Sequence, residues 1–119
     1  MLLDGLREQT ARFGDSAYVI TVTDDGKPHA VAVTVGWDDD TLTFGAGRTT
    51  TANAAERPDV ALLWPPVEPG GYSLIVDGCA ARRQGASGDG LVVRPTRAVL
   101  HRPAPAGSPG SDCVNILKP

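Results

Sequence analysis

The stretch LTFGAGRTTTANAAERPDVALLW, residues 42–64, contains the most informative order of elements in the chain. Residues 42–45 predict a β-strand, residues 51–57 a short alanine-rich helix, and residues 60–64 a strand that is apolar at every position. Two glycines lie between the first strand and the helix, where they let the backbone approach a ligand closely. A helix start adds unpaired N–H groups and a positive dipole end. The stretch therefore predicts a strand, turn, helix and strand whose turn can hold an anion.

The side chains of this turn fit two interpretations. Arg48 supplies a fixed positive fork suited to a phosphate, and Thr49, Thr50 and Thr51 supply hydroxyl donors. A threonine before a helix is also a common N-cap, and an arginine at this position can simply lie in solvent. The local pattern alone leaves both interpretations open.

A second informative segment precedes this stretch. Residues 17–23 predict a strand, residues 24–27 a tight hairpin turn, and a second strand begins at Pro28. Strand alternation places large side chains on one face of that second strand, namely His29, Val31, Val33, Val35 and Trp37, and small ones on the other, namely Ala30, Ala32, Thr34 and Gly36. The small face forms a shelf on which a flat ring can lie, although an ordinary half-exposed strand has the same pattern.

The rest of the chain completes a small barrel. Apolar residues at helical spacing predict a helix over residues 2–13, and further strands are predicted over residues 72–80 and 91–102, joined by a hairpin loop over 82–90. Pro95 removes one ladder donor and predicts an edge position or a bulge. The expected fold is mainly β: a six-stranded antiparallel split β-barrel with short helices at the amino terminus and between strands 3 and 4.

The end of the chain carries a different composition. Beyond Pro103 the sequence PAPAGSPGSD predicts irregular structure. We therefore expect one domain over residues 1–102, followed by a Pro/Gly-rich tail over residues 103–119.

Composition excludes several classes of function. A net charge of −3 without a lysine or arginine cluster argues against nucleic acid or an anionic membrane as a partner. Cys79 and Cys113 stand alone, so no zinc site or redox motif is indicated. The sequence has neither a secretory signal pattern nor an apolar stretch long enough to span a bilayer, which predicts a cytoplasmic location.

Conventional catalytic residues are not apparent. The two histidines, His29 and His101, lie in no nucleophile or metal motif, and no catalytic residue is predicted. A protein of this kind can still be an enzyme if a cofactor carries the reaction. We expect a phosphate at Arg48 and the threonines, with a redox ring along the shelf toward Phe44.

Four segments together resemble a known family. They are DGKPHAVAV, LTFGAGRTTTANAAERPDVALLW, YSLIVDGCA and VVRPTRAVL, and in this order they resemble the pyridoxamine 5′-phosphate oxidase-like, flavin-binding split barrels over residues 2–102. The resemblance implies a homodimer in which each subunit contributes to two equivalent sites. It implies that the following residues bind the cofactor: Val31, Val33 and Thr34 at the ring, Phe44 and Gly45 beside it, Arg48, Thr49 and Thr50 at the phosphate, and Ser73 near the ring of the other subunit.

The sequence departs from the vitamin B6 oxidases of that family. Basic residues expected at the ends of the second-strand motif and in the phosphate turn are replaced by Val31, Gly36, Thr49 and Thr50. Vitamin B6 oxidation is therefore not expected. We predict a protein that binds flavin mononucleotide (FMN) or the deazaflavin F420 and transfers hydride to or from a small organic substrate. The alternative is a non-catalytic module that binds flavin or haem, or a dimeric barrel without a cofactor.

Overall fold

The structure is a computed structural model that describes residues 2–83, 90–106 and 110–119. Its helices and strands are, in chain order, α1 (Asp4–Phe13), β1 (Ser16–Val22), β2 (Pro28–Thr34), β3 (Gly36–Asp38), β4 (Thr41–Gly45), α2 (Arg48–Glu56), β5 (Asp59–Trp64), β6 (Ser73–Arg83), β7 (Gly90–Pro103) and β8 (Ser111–Leu117). Every strand pairing is antiparallel, and the sheet order is β2-β1-β5-β6-β7-β4-β3, with β8 also paired to β7. Neither helix is long and apolar enough to cross a membrane, among the residues described.

The predicted mainly β, antiparallel architecture with two helices is confirmed, but the described residues form eight strands rather than six. One additional strand is β3, which has three residues and pairs with β4 across a turn in which Asp39 adopts φ 51°. The predicted second strand continued through Gly36 and Trp37, but β2 ends at Thr34 and these two residues pair with β4 instead. Of the acidic run, Asp38 ends β3, and Asp39 and Asp40 form the hairpin turn.

The other additional strand corrects the expectation of an irregular tail. Ser111–Leu117 forms β8, which pairs with β7 on the edge that β4 leaves free. The Tyr72 hydroxyl and Arg102 Nε each donate to Asp112 Oδ2 at 2.9 Å, and the Arg102 guanidinium lies 4.3 Å from the centre of the Tyr72 ring. These side-chain contacts, which join residues distant in sequence, hold a segment that local propensity did not assign to the sheet.

The core is formed by buried side chains of the sheet together with Leu6 of α1 and Ala54 of α2. Its fully buried side chains include Val19, Leu62, Trp64 and Leu74. The Trp64 indole N–H donates to the Gly14 carbonyl at 2.9 Å, which joins the end of α1 to β5. In β2 the predicted alternation is confirmed, because Val31 and Val33 pack against the core while the small residues of the opposite face are exposed.

Of the two alternatives predicted at Pro95, an edge position or a bulge, the structure has a bulge. Asp77 pairs with Arg97 but Gly78 pairs with Pro95, so Thr96 has no partner in the ladder. Gly78 is required here because a Cβ at this position would lie 2.4 Å from Val93 Cγ1 and 2.7 Å from the Arg94 carbonyl oxygen.

The loop predicted over residues 82–90 is wrong at both ends. Arg82 and Arg83 extend β6, and Gly90 begins β7. The remainder of that prediction, residues 84–89, lies outside the described residues.

Candidate functional site

The first turn of α2 is the part of the strand, turn and helix unit whose groups can bind an anion. The helix begins at Arg48, three residues before the predicted start, because Gly47 is extended at φ −75° and ψ 178° and serves as the N-cap. Among the described residues no side chain caps this end, and no acidic residue lies in the first turn. Within this turn, the N–H groups of residues 48–50 and the positive end of the helix dipole therefore have no carboxylate to balance them.

The turn hollow is an open cavity of about 420 Å³ at this helix start. It is lined by Ala46, Gly47, Arg48, Thr51, Ala52, Ala55 and Arg82. Arg48 is exposed and forms no ion pair with another described residue. Thr51 Oγ1 is buried and has no hydrogen-bond partner among the described residues. A buried hydroxyl without a partner costs about 1–3 kcal/mol, so this atom is a strong candidate to bind a ligand oxygen.

The shelf hollow is a second open cavity, of about 580 Å³, on the outer face of β1 and β2. It is lined by Ser16, Ala17, Tyr18, Ala32, Val33, Thr34, Gly45 and Pro65. Ser16 lies opposite Thr34, and Tyr18 lies opposite Ala32, so the small residues of β2 are bordered by an aromatic ring that is 43% exposed.

The two hollows adjoin along the chain, because Gly45 lines the shelf hollow and Ala46 lines the turn hollow, and we call the two together the groove. The described lining of this groove contains no Asp, Glu, His or Cys, and its charged residues are Arg48 and Arg82. The groove therefore suits an anion at one end and a flat, weakly polar group at the other. It offers no conventional acid, base or nucleophile pair.

Several residues expected at the site are found there. Val33, Thr34 and Gly45 line the shelf hollow, and Arg48 lines the turn hollow. Thr49 is exposed in the first turn of α2 beside Arg48.

Other expected site residues present their side chains elsewhere. Phe44 and Thr50 are each 2% exposed and point into the protein, and Val31 packs against the core. These three side chains therefore do not line the groove, and the assignment of the residues to the cofactor stays a prediction. Their burial follows from strand and helix periodicity, which turns alternate side chains inward. Ser73 starts β6 and is opposite His101, and it is not part of the groove lining in a single chain.

The groove lining also includes residues outside the set that the resemblance implied, although the predicted shelf already contained Ala32 and the predicted hydroxyl donors already included Thr51. Ala32 and Tyr18 face the shelf, and Thr51 faces the turn hollow. For Ala32 the signal was present, since alternation already placed it on the small face. Arg82 was missed because the glycine-rich sequence around it predicted a loop, whereas β6 extends far enough to bring its side chain to α2.

Solved structures with the same fold define the class of this protein. A Listeria innocua protein provisionally named pyridoxamine 5′-phosphate oxidase has a TM-score of 0.66 at 19% identity, covering 80% of this chain and 97% of that one. An F420 reductase has a TM-score of 0.57 at 22% identity, covering 70% and 87%. A haem-binding protein from Mycobacterium smegmatis has a TM-score of 0.65 at 16% identity, covering 97% and 58%. The fold is that of the pyridoxamine 5′-phosphate oxidase-like split barrels, as the resemblance implied.

Sequence comparison gives closer relatives. Two uncharacterized proteins, Mb0449c of Mycobacterium bovis and MT0457 of Mycobacterium tuberculosis, are each 40% identical over 122 aligned residues, which cover 87% of this chain and 86% of each relative. No family model matches the chain. The chain belongs to the same family as these two mycobacterial proteins.

Proposed function

We propose that the groove binds a phosphate-bearing cofactor of the flavin type, FMN or F420, and that the protein is an oxidoreductase acting on a small organic substrate. The observation that carries this proposal is that two chemically different hollows adjoin at Gly45 and Ala46. One hollow has a helix start, Arg48 and the Thr51 hydroxyl, none of which is capped or paired by another described residue, and the other has a shelf of small residues.

The phosphate end fits the chemistry of its ligand. The N–H groups at the start of α2 point along the helix axis, and an anion there interacts with the positive end of the dipole. Arg48 adds a charge-assisted hydrogen bond, and the buried Thr51 hydroxyl gains the partner that it lacks. The backbone at Gly47 is open, since a Cβ added there would meet no atom within 4 Å.

The ring end fits a flat aromatic group. Ala32 and Thr34 are exposed and short, and a Cβ added at Gly45 would likewise meet no atom within 4 Å. Tyr18 borders this surface and offers an aromatic edge or face. A ring on the shelf lies against the backbone of β2, where exposed main-chain groups can hydrogen-bond to its heteroatoms.

A bound flavin or deazaflavin supplies hydride transfer. The residues of this chain bind its phosphate, orient its ring and exclude water from one ring face. Because the described lining of the groove holds no carboxylate, imidazole or thiol, these residues provide position and electrostatics rather than proton transfer.

We further propose a homodimer built on the outward face of β1, β5 and β6. Tyr18 is opposite Leu63, and Leu63 is opposite Ile75, so three large apolar side chains lie in a row across neighbouring strands. Leu63 and Ile75 are only half-buried in a single chain. An apolar sheet face of this kind is stabilised by a partner surface, and in such a dimer Ser73 would approach the ring held by the other subunit.

Haem is the second candidate ligand, since a haem-binding protein shares the fold. Haem iron is usually held by an axial His, Cys, Met or Tyr ligand. Among these, the described groove lining offers only Tyr18. A flavin-type cofactor, which needs no such ligand, therefore fits the groove better.

The visible spectrum of the purified protein, followed by titration with FMN, F420 and haemin, tests the proposal. We expect flavin or deazaflavin absorption, or saturable binding of one of the two with quenched fluorescence. A Soret band with no flavin binding would favour haem. A colourless protein that binds none of the three ligands would contradict the cofactor proposal and favour a dimeric barrel without a cofactor. Analytical ultracentrifugation would then test the dimer by itself.

A further inference from the structure

A third cavity lies away from the groove, between the start of α1, the bulge of β7 and the end of β8. We call this cavity, of about 640 Å³, the end hollow. Its apolar wall is formed by Leu2, Leu3, Pro95 and Leu117. Pro95 and Leu117 are buried, whereas Leu2 is 86% exposed at the rim. An exposed leucine beside a buried apolar wall gains stability from any apolar group that covers both.

The rim of the end hollow carries cations that are available to a ligand. Arg94 and Lys118 are exposed, and neither forms an ion pair with another described residue. Arg7 is already engaged, since it pairs with Asp40 at 3.2 Å and stacks at 4.3 Å from the centre of the Trp37 ring. The remaining acid of the lining, Asp4, has a contact of its own. Two uncommitted positive charges therefore border an apolar cavity in a chain whose net charge is −3.

We propose that the end hollow binds a single-chain apolar anion of the medium-chain carboxylate type. The hydrocarbon chain lies against Leu3, Pro95 and Leu117 under Leu2, and the carboxylate lies between Arg94 and Lys118. A neutral hydrocarbon chain of the same length packs against the apolar wall but forms no ion pair with Arg94 or Lys118, and a chain with a cationic head group is repelled by these two residues. This ligand site does not depend on the groove or on its cofactor.

Chain length and head-group charge provide separate tests of the wall and the rim. Isothermal titration at low ionic strength would use hexanoate, octanoate and decanoate, together with decanol and decylamine, all below their micelle concentrations. Each added methylene that is buried should tighten the dissociation constant by up to about fourfold. Decanoate should bind about 3- to 10-fold more tightly than decanol, because exposed ion pairs contribute modestly. Decylamine should bind most weakly.

Variants locate the binding. The double variant Arg94→Ala/Lys118→Ala should reduce the affinity for decanoate to that for decanol and leave the affinity for decanol unchanged. The matched control Arg12→Ala, which removes an exposed arginine at the other end of α1, should change neither affinity. Leu2→Ser alters an exposed residue and should weaken both ligands. The proposal is overturned if decanoate does not bind, if decylamine binds equally well, or if the double variant retains full decanoate affinity.

Discussion

The unpartnered hydroxyl of Thr51 leads to a prediction in which stability and ligand binding change in opposite directions. Thr51→Val replaces the hydroxyl by a methyl group of similar volume. Because Oγ1 is buried without a partner, the substitution removes an unfavourable desolvation and should stabilise the free protein by about 1–2 kcal/mol. Threonine and valine have similar helix propensities, so the change of residue type within α2 adds little.

The same substitution should weaken cofactor binding. If Thr51 Oγ1 donates to a phosphate oxygen, its loss removes a charge-assisted hydrogen bond of about 1.5–3 kcal/mol, or roughly a 10- to 100-fold increase in the dissociation constant. Urea unfolding followed by tryptophan fluorescence measures the first effect, and fluorescence titration with FMN or F420 measures the second.

A nearby residue serves as the control for stability. Thr49 is exposed in the same helical turn, so Thr49→Val should change the free energy of unfolding by less than about 0.5 kcal/mol. If Thr51→Val is less stable than Thr49→Val and binds the cofactor with unchanged affinity, the assignment of Thr51 to the phosphate end is refuted.

Three further predictions follow from the same structure. Arg48→Ala should raise the dissociation constant of the cofactor by about 5- to 30-fold, a moderate effect because the arginine is exposed and its charge is partly screened. The control Arg12→Ala should leave this dissociation constant unchanged. Equal titration curves for the two variants would show that Arg48 is not part of the site. Gly78→Ala should lower the free energy of unfolding by about 1–3 kcal/mol, because its Cβ would clash with Val93 and the Arg94 carbonyl. The control Gly36→Ala, whose Cβ would meet only Thr43 Oγ1 at 3.9 Å, should leave the free energy of unfolding nearly unchanged in the same urea experiment. Hydrogen bonds from Tyr72 and Arg102 hold the pKa of Asp112 below its ordinary value, so the stability that this carboxylate contributes is present at neutral pH and is lost as pH falls through the lowered pKa. Asp112→Asn should therefore be less stable than the parent at pH 7, and the difference in the free energy of unfolding should shrink toward pH 3. A difference that stays constant with pH would contradict this reasoning.

Much of the fold could be predicted because its signals are local. The alternation of β2 identified the inward valines and the outward small residues, and Pro95 indicated the bulge that pairs Gly78 with Pro95. The turn and helix of residues 45–56 were located by glycines and by the alanine-rich run that follows them.

The remaining features depend on contacts between distant residues. The strand β8 is held by Tyr72, Arg102 and Asp112, which no local pattern connects. Thr50 points inward and Thr51 lines the turn hollow because α2 starts at Arg48. A shift of three residues in the helix start changes which hydroxyl lines this hollow. Helix boundaries are the least certain part of a sequence-based assignment, so the chemistry of this turn required the structure.

The central claim is that one groove, from the start of α2 to the shelf of β2, binds the cofactor. Mapping amide chemical shifts of the ¹⁵N-labelled protein during titration with FMN and F420 tests it most directly. We predict the largest changes at the amides of Gly45–Thr51 and Ala32–Thr34, with no comparable change at Leu3 or Leu117 in the end hollow. The claim is contradicted if neither cofactor shifts these amides, or if the largest changes fall outside the groove.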